Sequence, residues 1–261
     1  MNKRSYREVT QMELHIVADL KALGRLAADQ FVMRAVTSIQ NTGRFTVALS
    51  GGETPKELFI QLTADRASEL DWSKVHFFWG DERHVGPMDK DSNYRLAKQY
   101  LLDPLQVPDA NIHRIRGEDP VQSAARTYED DLRQFFDPAP GTWPRFDLIL
   151  LGLGEDGHTA SLFPGSAALR DRVHLVAGNV VPQIATERVT FTYPVINAAA
   201  YVLVLVSGVR KSSMVQTVLE NPPDPEKLPM QGVQPKDGQL IWLLDASAAS
   251  ILQAGASKPF T

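Results

Sequence analysis

Residues 146–165 read FDLILLGLGEDGHTASLFPG, and this stretch decides the fold class. A six-residue, mainly apolar segment (146–151) has the pattern of a buried strand, and it leads into a loop with three glycines, two carboxylates and one imidazole. Apolar strands followed by glycine-rich loops form the sites of open α/β sheets, at the carboxyl ends of the strands. The loop is therefore where we expect the chemistry, and His158 supplies its only imidazole, a group suited to proton transfer near neutral pH.

The composition indicates one globular domain. A chain of 261 residues can form a large α/β domain, and no change in composition suggests a linker, so we expect a single domain over residues 1–261. The 43% hydrophobic and 22% charged shares are ordinary for such a protein. A net charge of -4 argues against a general nucleic-acid binder. The chain has no cysteine, which excludes disulfides, thiol nucleophiles and cysteine-based zinc sites.

The sequence predicts no membrane segment. No apolar run reaches the roughly 20 residues that a membrane span needs. Residues 1–8 have no long apolar stretch after their positive charges, so we expect no signal peptide. The resulting expectation is a soluble, cytoplasmic protein.

Predicted helices and strands alternate along the chain. Asp19 is expected to cap a helix that Gly43 ends, and further helices are expected from Pro55, after Ser92 and after Pro120. Strands are predicted at residues 45–49, 75–79, 146–151, 173–177, 189–192, 201–206 and 240–244. The segment 201–206 is apolar on both faces, which is typical of a sheet covered by helices on both sides. The prediction is a Rossmann-like, three-layer α/β/α sandwich with a mainly parallel central sheet.

Residues 50–55, SGGETP, lie between a predicted strand and a predicted helix. Gly51 and Gly52 can expose backbone N–H groups, the helix N-terminus adds partial positive charge, and Thr54 can offer its hydroxyl. These features predict a phosphate cradle, provided that the Glu53 carboxylate points away from it. A tight turn between strand and helix with an N-cap residue is the alternative interpretation.

Two further loops carry charged residues that suit an anionic ligand. In residues 80–87, GDERHVGP, Arg83 could form paired hydrogen bonds to a phosphate or carboxylate, and Asp81 could bind sugar hydroxyls. In residues 207–211, SGVRK, Lys211 lies near the start of a helix, where an anion would have to separate it from the helix dipole. A solvated charged turn and a surface lysine are the respective alternatives.

The glycine pattern at residues 152–157 matches the dinucleotide fingerprint, but its context does not. The fingerprint needs a full helix next, but Pro164 and Gly165 would break such a helix within two turns. It also needs an acidic residue at the end of the following strand, whereas segment 173–177 is followed by glycine and asparagine. We therefore reject a nicotinamide site. The histidines show no metal-ligand spacing and the chain has no cysteine, so no catalytic metal is expected. The four loops together suggest chemistry on a phosphorylated small molecule.

The ordered motifs resemble those of the 6-phosphogluconolactonase family, and they lie at residues 50–55, 80–83, 91–94, 152–165 and 207–211. The resemblance covers most of the chain. It implies a single α/β/α domain of the deaminase/isomerase type. It also implies hydrolysis of 6-phospho-D-glucono-1,5-lactone to 6-phospho-D-gluconate in the oxidative pentose phosphate pathway, without cofactor or metal. The only partner implied is this phosphorylated sugar lactone, and we expect a monomer or a homodimer.

The resemblance also implies a role for each matching residue. His158 resembles the general base that activates water, and Asp156 and Asp81 would orient the imidazole or sugar hydroxyls. The residues implied in binding the substrate anion are Gly51, Gly52, Thr54, Arg83, Arg188 and Lys211. Glu53 departs from the family pattern, because many relatives carry a smaller polar residue there.

Two alternative functions use the same motifs. Glucosamine-6-phosphate isomerases/deaminases have a similar loop that continues to Asn-Glu-Pro, and their glutamate completes a relay with the histidine. The corresponding position here is Phe163, which has no carboxylate. A non-catalytic sugar-phosphate sensor would need the cradle and Lys211 but not His158.

Overall fold

The computed structural model describes residues 12–181 and 186–253, so the expectation about residues 1–8 lies outside the described residues. The helices are α1 Leu20–Thr42, α2 Glu53–Asp65, α3 Asn93–Ala97, α4 Val121–Phe136, α5 Tyr193–Ile196 and α6 Ser212–Glu220. The strands are β1 Met12–Val17, β2 Phe45–Leu49, β3 Val75–Trp79, β4 Asp81–Arg83, β5 Leu148–Leu151, β6 Val176–Val181, β7 Thr186–Phe191, β8 Tyr201–Val206 and β9 Gln239–Asp245.

Six strands form a central sheet in the order β1-β9-β8-β5-β2-β3. Every neighbouring pair is parallel, as the predicted fold class requires. The carboxyl ends of β8, β5 and β2 therefore lie side by side at one edge of the sheet. A separate antiparallel sheet has the order β4-β7-β6.

Helices cover both faces of the central sheet. Phe77 and Phe78 are successive residues of β3, so their side chains point to opposite faces. The Phe77 ring stacks at 6.4 Å on Trp72, which lies 6.1 Å from Phe31 of α1. The Phe78 ring lies 5.1 Å from Phe135 of α4 on the other face. These contacts confirm the predicted three-layer sandwich.

Local signals fix the first helix as predicted. The Asp19 side chain accepts a hydrogen bond from the Ala22 N–H at 2.8 Å, which satisfies one free donor of the first turn. Gly43 ends the helix with φ of +82°, a left-handed conformation that favours glycine, and its N–H bonds to the Ile39 carbonyl. Helix α2 begins at Glu53, two residues before Pro55.

Three predicted strand boundaries were wrong for identifiable reasons. Strand β6 covers Val176–Val181 instead of 173–177, because the carboxylate of Asp171 turns the chain by accepting from the Val173 and His174 N–H groups. Strand β7 begins at Thr186 instead of residue 189, since its polar start pairs with β4 and β6. Strand β5 begins at Leu148 rather than at residue 146.

Two strands were not predicted. Strand β1 is at the edge of the central sheet, pairs only with β9 and is partly exposed, so its sequence lacks an apolar run. Strand β4 lies in the segment 80–87, for which the sequence predicts a loop. Its three residues are all charged, so their pattern does not indicate the short pairing with β7. Within residues 12–181 and 186–253, no helix is long and apolar enough to cross a membrane.

The His76 imidazole makes folding stability depend on pH. Burial, the neighbouring His113 ring and Arg44 lower the pKa of His76 to about 4, from an ordinary value of 6.5. Between these two pH values the unfolded chain binds more protons than the folded chain, so stability falls as the pH decreases from 6.5 to 4. Since the ring is half-buried and solvent screens it, we expect a loss of about 1–2 kcal/mol.

Urea unfolding between pH 7 and pH 4 tests this expectation. His76→Phe, which places another apolar ring beside Phe135, should remove most of the decrease. His15→Phe is the control, because the His15 side chain is 41% exposed and its replacement should leave the decrease unchanged. An identical pH dependence in both variants would contradict the assignment to His76.

Candidate active site

One cavity of about 650 Å³ opens where the loops after β2, β5 and β8 meet the small sheet. Parallel pairing places these loops together, as is usual for sites in open α/β sheets. The cavity brings together all nine predicted site residues: His158, Asp156, Gly51, Gly52, Thr54, Asp81, Arg83, Arg188 and Lys211.

The glycines after β2 form a cradle at the start of α2. Gly52 has φ of +105°, which a side chain would strain. The Thr54 hydroxyl lies 2.8 Å from the Ser207 hydroxyl, so the cradle is joined to the loop after β8. The Glu53 side chain is 81% exposed, and its carboxylate lies 3.2 Å from the Lys56 ammonium. The carboxylate is thus paired with a lysine of the same helix, and Glu53 also lies at the lining of the cavity.

The His158 imidazole is held on three sides. Its Nδ1 lies 2.5 Å from the Asp156 carboxylate, and its ring stacks on Phe163 at 4.1 Å with an angle of 24°. The backbone of Gly154 lies against the ring, since a Cβ there would be 2.0 Å from Nδ1. A carboxylate only accepts hydrogen bonds, so the ring proton is on Nδ1 and Nε2 carries the lone pair.

Asp156 is suited to orient this ring. Burial acts to raise the pKa of its carboxyl, but hydrogen bonds and attraction from His158 outweigh burial and place the pKa below its ordinary value. The carboxylate also accepts from the His158 backbone N–H at 3.1 Å. Asp156 therefore stays charged, and its hydrogen bond to Nδ1 fixes the orientation of the ring and leaves Nε2 turned away from the carboxylate.

Two arginines face each other on the small sheet. Arg83 of β4 is the register partner of Arg188 of β7. Burial and the nearby Arg83 charge lower the pKa of Arg188. Like charges directly opposite each other destabilise a strand pair unless a counter-charge lies near them. The carboxylates of Asp81, Glu82 and Asp91 oppose this effect, and an anion bound beside the two guanidinium groups would add to that compensation.

Lys211 adds a third cation, from the loop after β8. Burial lowers the pKa of its ammonium group, and the charge of Glu155 partly offsets this effect. The Arg210 side chain beside it is 87% exposed and lies 3.8 Å from Glu155. An anion bound against Lys211 would compensate the cost of its partial burial.

Sequence reasoning missed the polar contacts that join the His158 loop to the small sheet. The Ser161 hydroxyl donates to the Asp81 carboxylate at 2.7 Å. The Ser161 N–H donates to the Thr190 hydroxyl at 3.1 Å, and its carbonyl accepts from the Asn179 amide at 2.8 Å. Asn93 also lines the cavity, although its motif gave no reason to choose it. The partners lie far apart in sequence, so no local pattern reveals these contacts.

Residues 221–239 do not line the cavity. The segment supports the His158 loop from outside, because the Met230 N–H donates to the Gly157 carbonyl and the Gly165 N–H donates to the Glu226 carbonyl, both at 3.0 Å. Within the part of the chain that the structure describes, no group of three histidine or acidic side chains could hold a metal ion.

Comparisons with known proteins agree with this geometry. Residues 18–242 match the family of glucosamine-6-phosphate isomerases/6-phosphogluconolactonase. The 6-phosphogluconolactonase of Nostoc sp. is 43% identical over 242 residues, covering 92% of this chain and 98% of its own. That of Synechocystis sp. is 45% identical over 224 residues, covering 84% and 90%. The solved 6-phosphogluconolactonase from Trypanosoma cruzi has a TM-score of 0.83 at 26% identity, covering 95% and 100%.

The contact between Gly154 and His158 predicts that substituting Gly154, but not Gly152 of the same loop, disturbs the imidazole. Gly154→Ala would place a Cβ inside the contact distance of the imidazole, so the ring must move, at a cost of about 1–3 kcal/mol. Gly152→Ala is the control, because its Cβ would meet nothing within 4 Å.

Nitrogen-15 NMR of the imidazole, together with thermal unfolding, distinguishes the two variants. We expect the His158 ring signals to shift and the Tm to fall in Gly154→Ala only. Unchanged ring signals in a folded Gly154→Ala protein would show that the imidazole is not seated on this glycine.

Proposed function

The chain belongs to the family of glucosamine-6-phosphate isomerases and 6-phosphogluconolactonases, and we propose which reaction it catalyses and how. It hydrolyses 6-phospho-D-glucono-1,5-lactone to 6-phospho-D-gluconate, and His158 is the general base. This reaction is the lactonase step of the oxidative pentose phosphate pathway. The observation that carries the proposal is a cavity in which an oriented imidazole lies beside a glycine cradle and four cationic side chains.

The chemistry requires a base and an activated water molecule. Nε2 of His158 takes a proton from water while the water oxygen attacks the C1 carbonyl of the lactone. The C1–ring oxygen bond of the tetrahedral intermediate then breaks, and the imidazolium returns the proton to the departing ring oxygen. The new carboxylic acid loses its own proton to solvent, so one lactone and one water give the carboxylate and one proton.

Asp156 keeps the imidazole in the productive tautomer and stabilises the imidazolium between the two proton transfers. The Phe163 ring fixes the plane of the imidazole. Phe163 also occupies the position at which the deaminases carry a glutamate. Because it has no carboxylate, lactone hydrolysis is favoured over the ring-opening relay of the deaminases.

Substrate binding is assigned to the remaining cavity residues. The Gly51 and Gly52 backbone, the Thr54 hydroxyl and Lys211 bind the 6-phosphate, at the positive end of α2. Arg83 and Arg188 bind the substrate anion or stabilise the oxyanion at C1, and Asp81 accepts hydrogen bonds from ring hydroxyls. Phosphate binding far from C1 thereby positions the ring for attack.

The proposal extends to domain, location and assembly. One lactonase domain spans residues 1–261, supported by a continuous core that contains side chains of both β2 and β9. The reaction takes place in the cytoplasm, because charged phosphate esters do not cross a bilayer unaided. A monomer or a homodimer remains the prediction for the assembly.

Replacing His158 tests the function and the base together. We expect His158→Ala to lower kcat by about 10²–10⁴-fold while KM changes little, because the base acts in the transition state. The measurement is acid release from freshly prepared 6-phosphogluconolactone, with spontaneous hydrolysis subtracted. His174→Ala is a matched control, since His174 forms a similar pair with Asp171 at 2.9 Å on the surface.

The outcomes separate the alternatives. A wild-type rate at background would overturn the lactonase assignment, and ammonia release from glucosamine 6-phosphate would then support the deaminase. Equal rates for wild type and His158→Ala would keep the function and reject His158 as base. Binding of the phosphorylated lactone without turnover would favour the sensor.

A further inference from the structure

Asn93 lies between two parts of the cavity that come from different strands. We propose that Asn93 is a positioning residue that fixes the cradle of Gly51 and Gly52 relative to Asp81, and that this fixed spacing makes the site select a phosphorylated sugar acid or lactone. The inference rests on the proposed function, since it gives the cradle the phosphate and Asp81 the hydroxyls.

The backbone of Asn93 is anchored to β4 through a buried carboxylate. The Glu82 carboxylate accepts from the Asn93 and Tyr94 N–H groups, both at 2.8 Å, and from the Ser92 hydroxyl at 3.0 Å. It also accepts from the Arg83 N–H at 2.8 Å. Burial raises the pKa of Glu82, and the backbone N–H groups offset part of that rise. A carboxylate with every lone pair used holds the first turn of α3 firmly against β4.

The side-chain amide of Asn93 contacts both parts of the cavity. Its Nδ2 donates to the Asp81 carbonyl at 2.9 Å and lies 3.4 Å from the Asp81 carboxylate. Its Oδ1 is pressed against Gly51, because a Cβ on Gly51 would be 1.8 Å from that oxygen. Asn93 is 3% exposed, so the amide is confined in this position.

This amide spans a gap that the strand pairing leaves open. Strands β2 and β3 pair as far as Leu49 and Trp79, and the Gly80 N–H still donates to the Leu49 carbonyl at 3.0 Å. The β2–β3 register ends there, so strand pairing does not join Gly51 to Asp81. A ligand that binds both the cradle and Asp81 binds more tightly when the distance between them is fixed, whereas the affinity of a ligand that binds only the cradle does not depend on that distance.

Ligands of different length test the spacing without requiring turnover. In Asn93→Ala we expect the Kd of 6-phosphogluconate, measured by calorimetry, to rise about tenfold or more, while the Kd of inorganic phosphate changes less than threefold. The kcat/KM for 6-phosphogluconolactone should fall by a similar factor relative to that for unphosphorylated gluconolactone. A merely structural role would weaken both ligands and both substrates alike, and that result would overturn the proposal.

Asn111→Ala is the matched control. Asn111 is also a buried asparagine, and its Nδ2 donates to the Ser73 and Val75 carbonyls at 2.8 and 2.9 Å, away from the cavity. We expect a lower Tm with an unchanged ratio of the two dissociation constants. A ratio that changes equally in Asn111→Ala would overturn the proposal.

A double-mutant cycle tests the direct contact. Gly51→Ala should lower the Tm and weaken phosphate binding in the wild type, because the new Cβ meets the amide of Asn93. In the Asn93→Ala background the same substitution should lower the Tm and the phosphate affinity clearly less, since the amide no longer occupies the space of the new Cβ. Additive effects would overturn the proposed contact. Failure of lactone turnover alone would reject the proposed function, while the expected binding and cycle results would still support the role of Asn93.

Discussion

The parallel pairing of β8, β5, β2 and β3 is the constraint on which the rest of the structure depends. Parallel strands bring their carboxyl ends to one edge, so the loops that follow them must share that space. The strands themselves are almost entirely buried and supply no polar group for a reaction. On the central sheet the polar groups of the site are therefore carried by the loops, which explains why glycine and charged residues are concentrated there.

The small antiparallel sheet supplies what the parallel sheet cannot. In its antiparallel strands β4 and β7, Arg83 and Arg188 are register partners, and both line the cavity. The same sheet binds Ser161 through Thr190 and Asn179, close to Ala160, whose φ of +46° is unusual for a residue with a side chain. Such a backbone conformation persists where surrounding contacts impose it, and the hydrogen bonds of Ser161 to Thr190 and Asn179 supply such contacts next to Ala160.

Local signals predicted most of the fold, and tertiary contacts account for what they missed. The caps of α1, the apolar strands β2, β3 and β8, and the cavity residues in the glycine-rich loops follow from short-range patterns. Strand β4 was missed because its pairing with β7 joins residues about a hundred positions apart. The contacts of Asn93 with Asp81 and Gly51 were missed because they join different elements of the fold, and no local pattern shows which groups a buried amide meets.

The His–Asp pairs show why a pairwise pattern alone does not define an active site. In the described residues, the carboxylates of Asp156, Asp171 and Asp131 lie 2.5, 2.9 and 3.2 Å from the Nδ1 atoms of His158, His174 and His113. Each pair fixes a tautomer in the same way, so the hydrogen bond cannot distinguish a base from a structural histidine. His174 is 62% exposed on the surface, and His113 stacks on Phe78 in an aromatic cluster. Of these three pairs, the one in the loop after β5 lines the same cavity as Gly51 and Gly52, because parallel strands end together. The environment of the imidazole, set by sheet topology, thus determines which pair can act as a base.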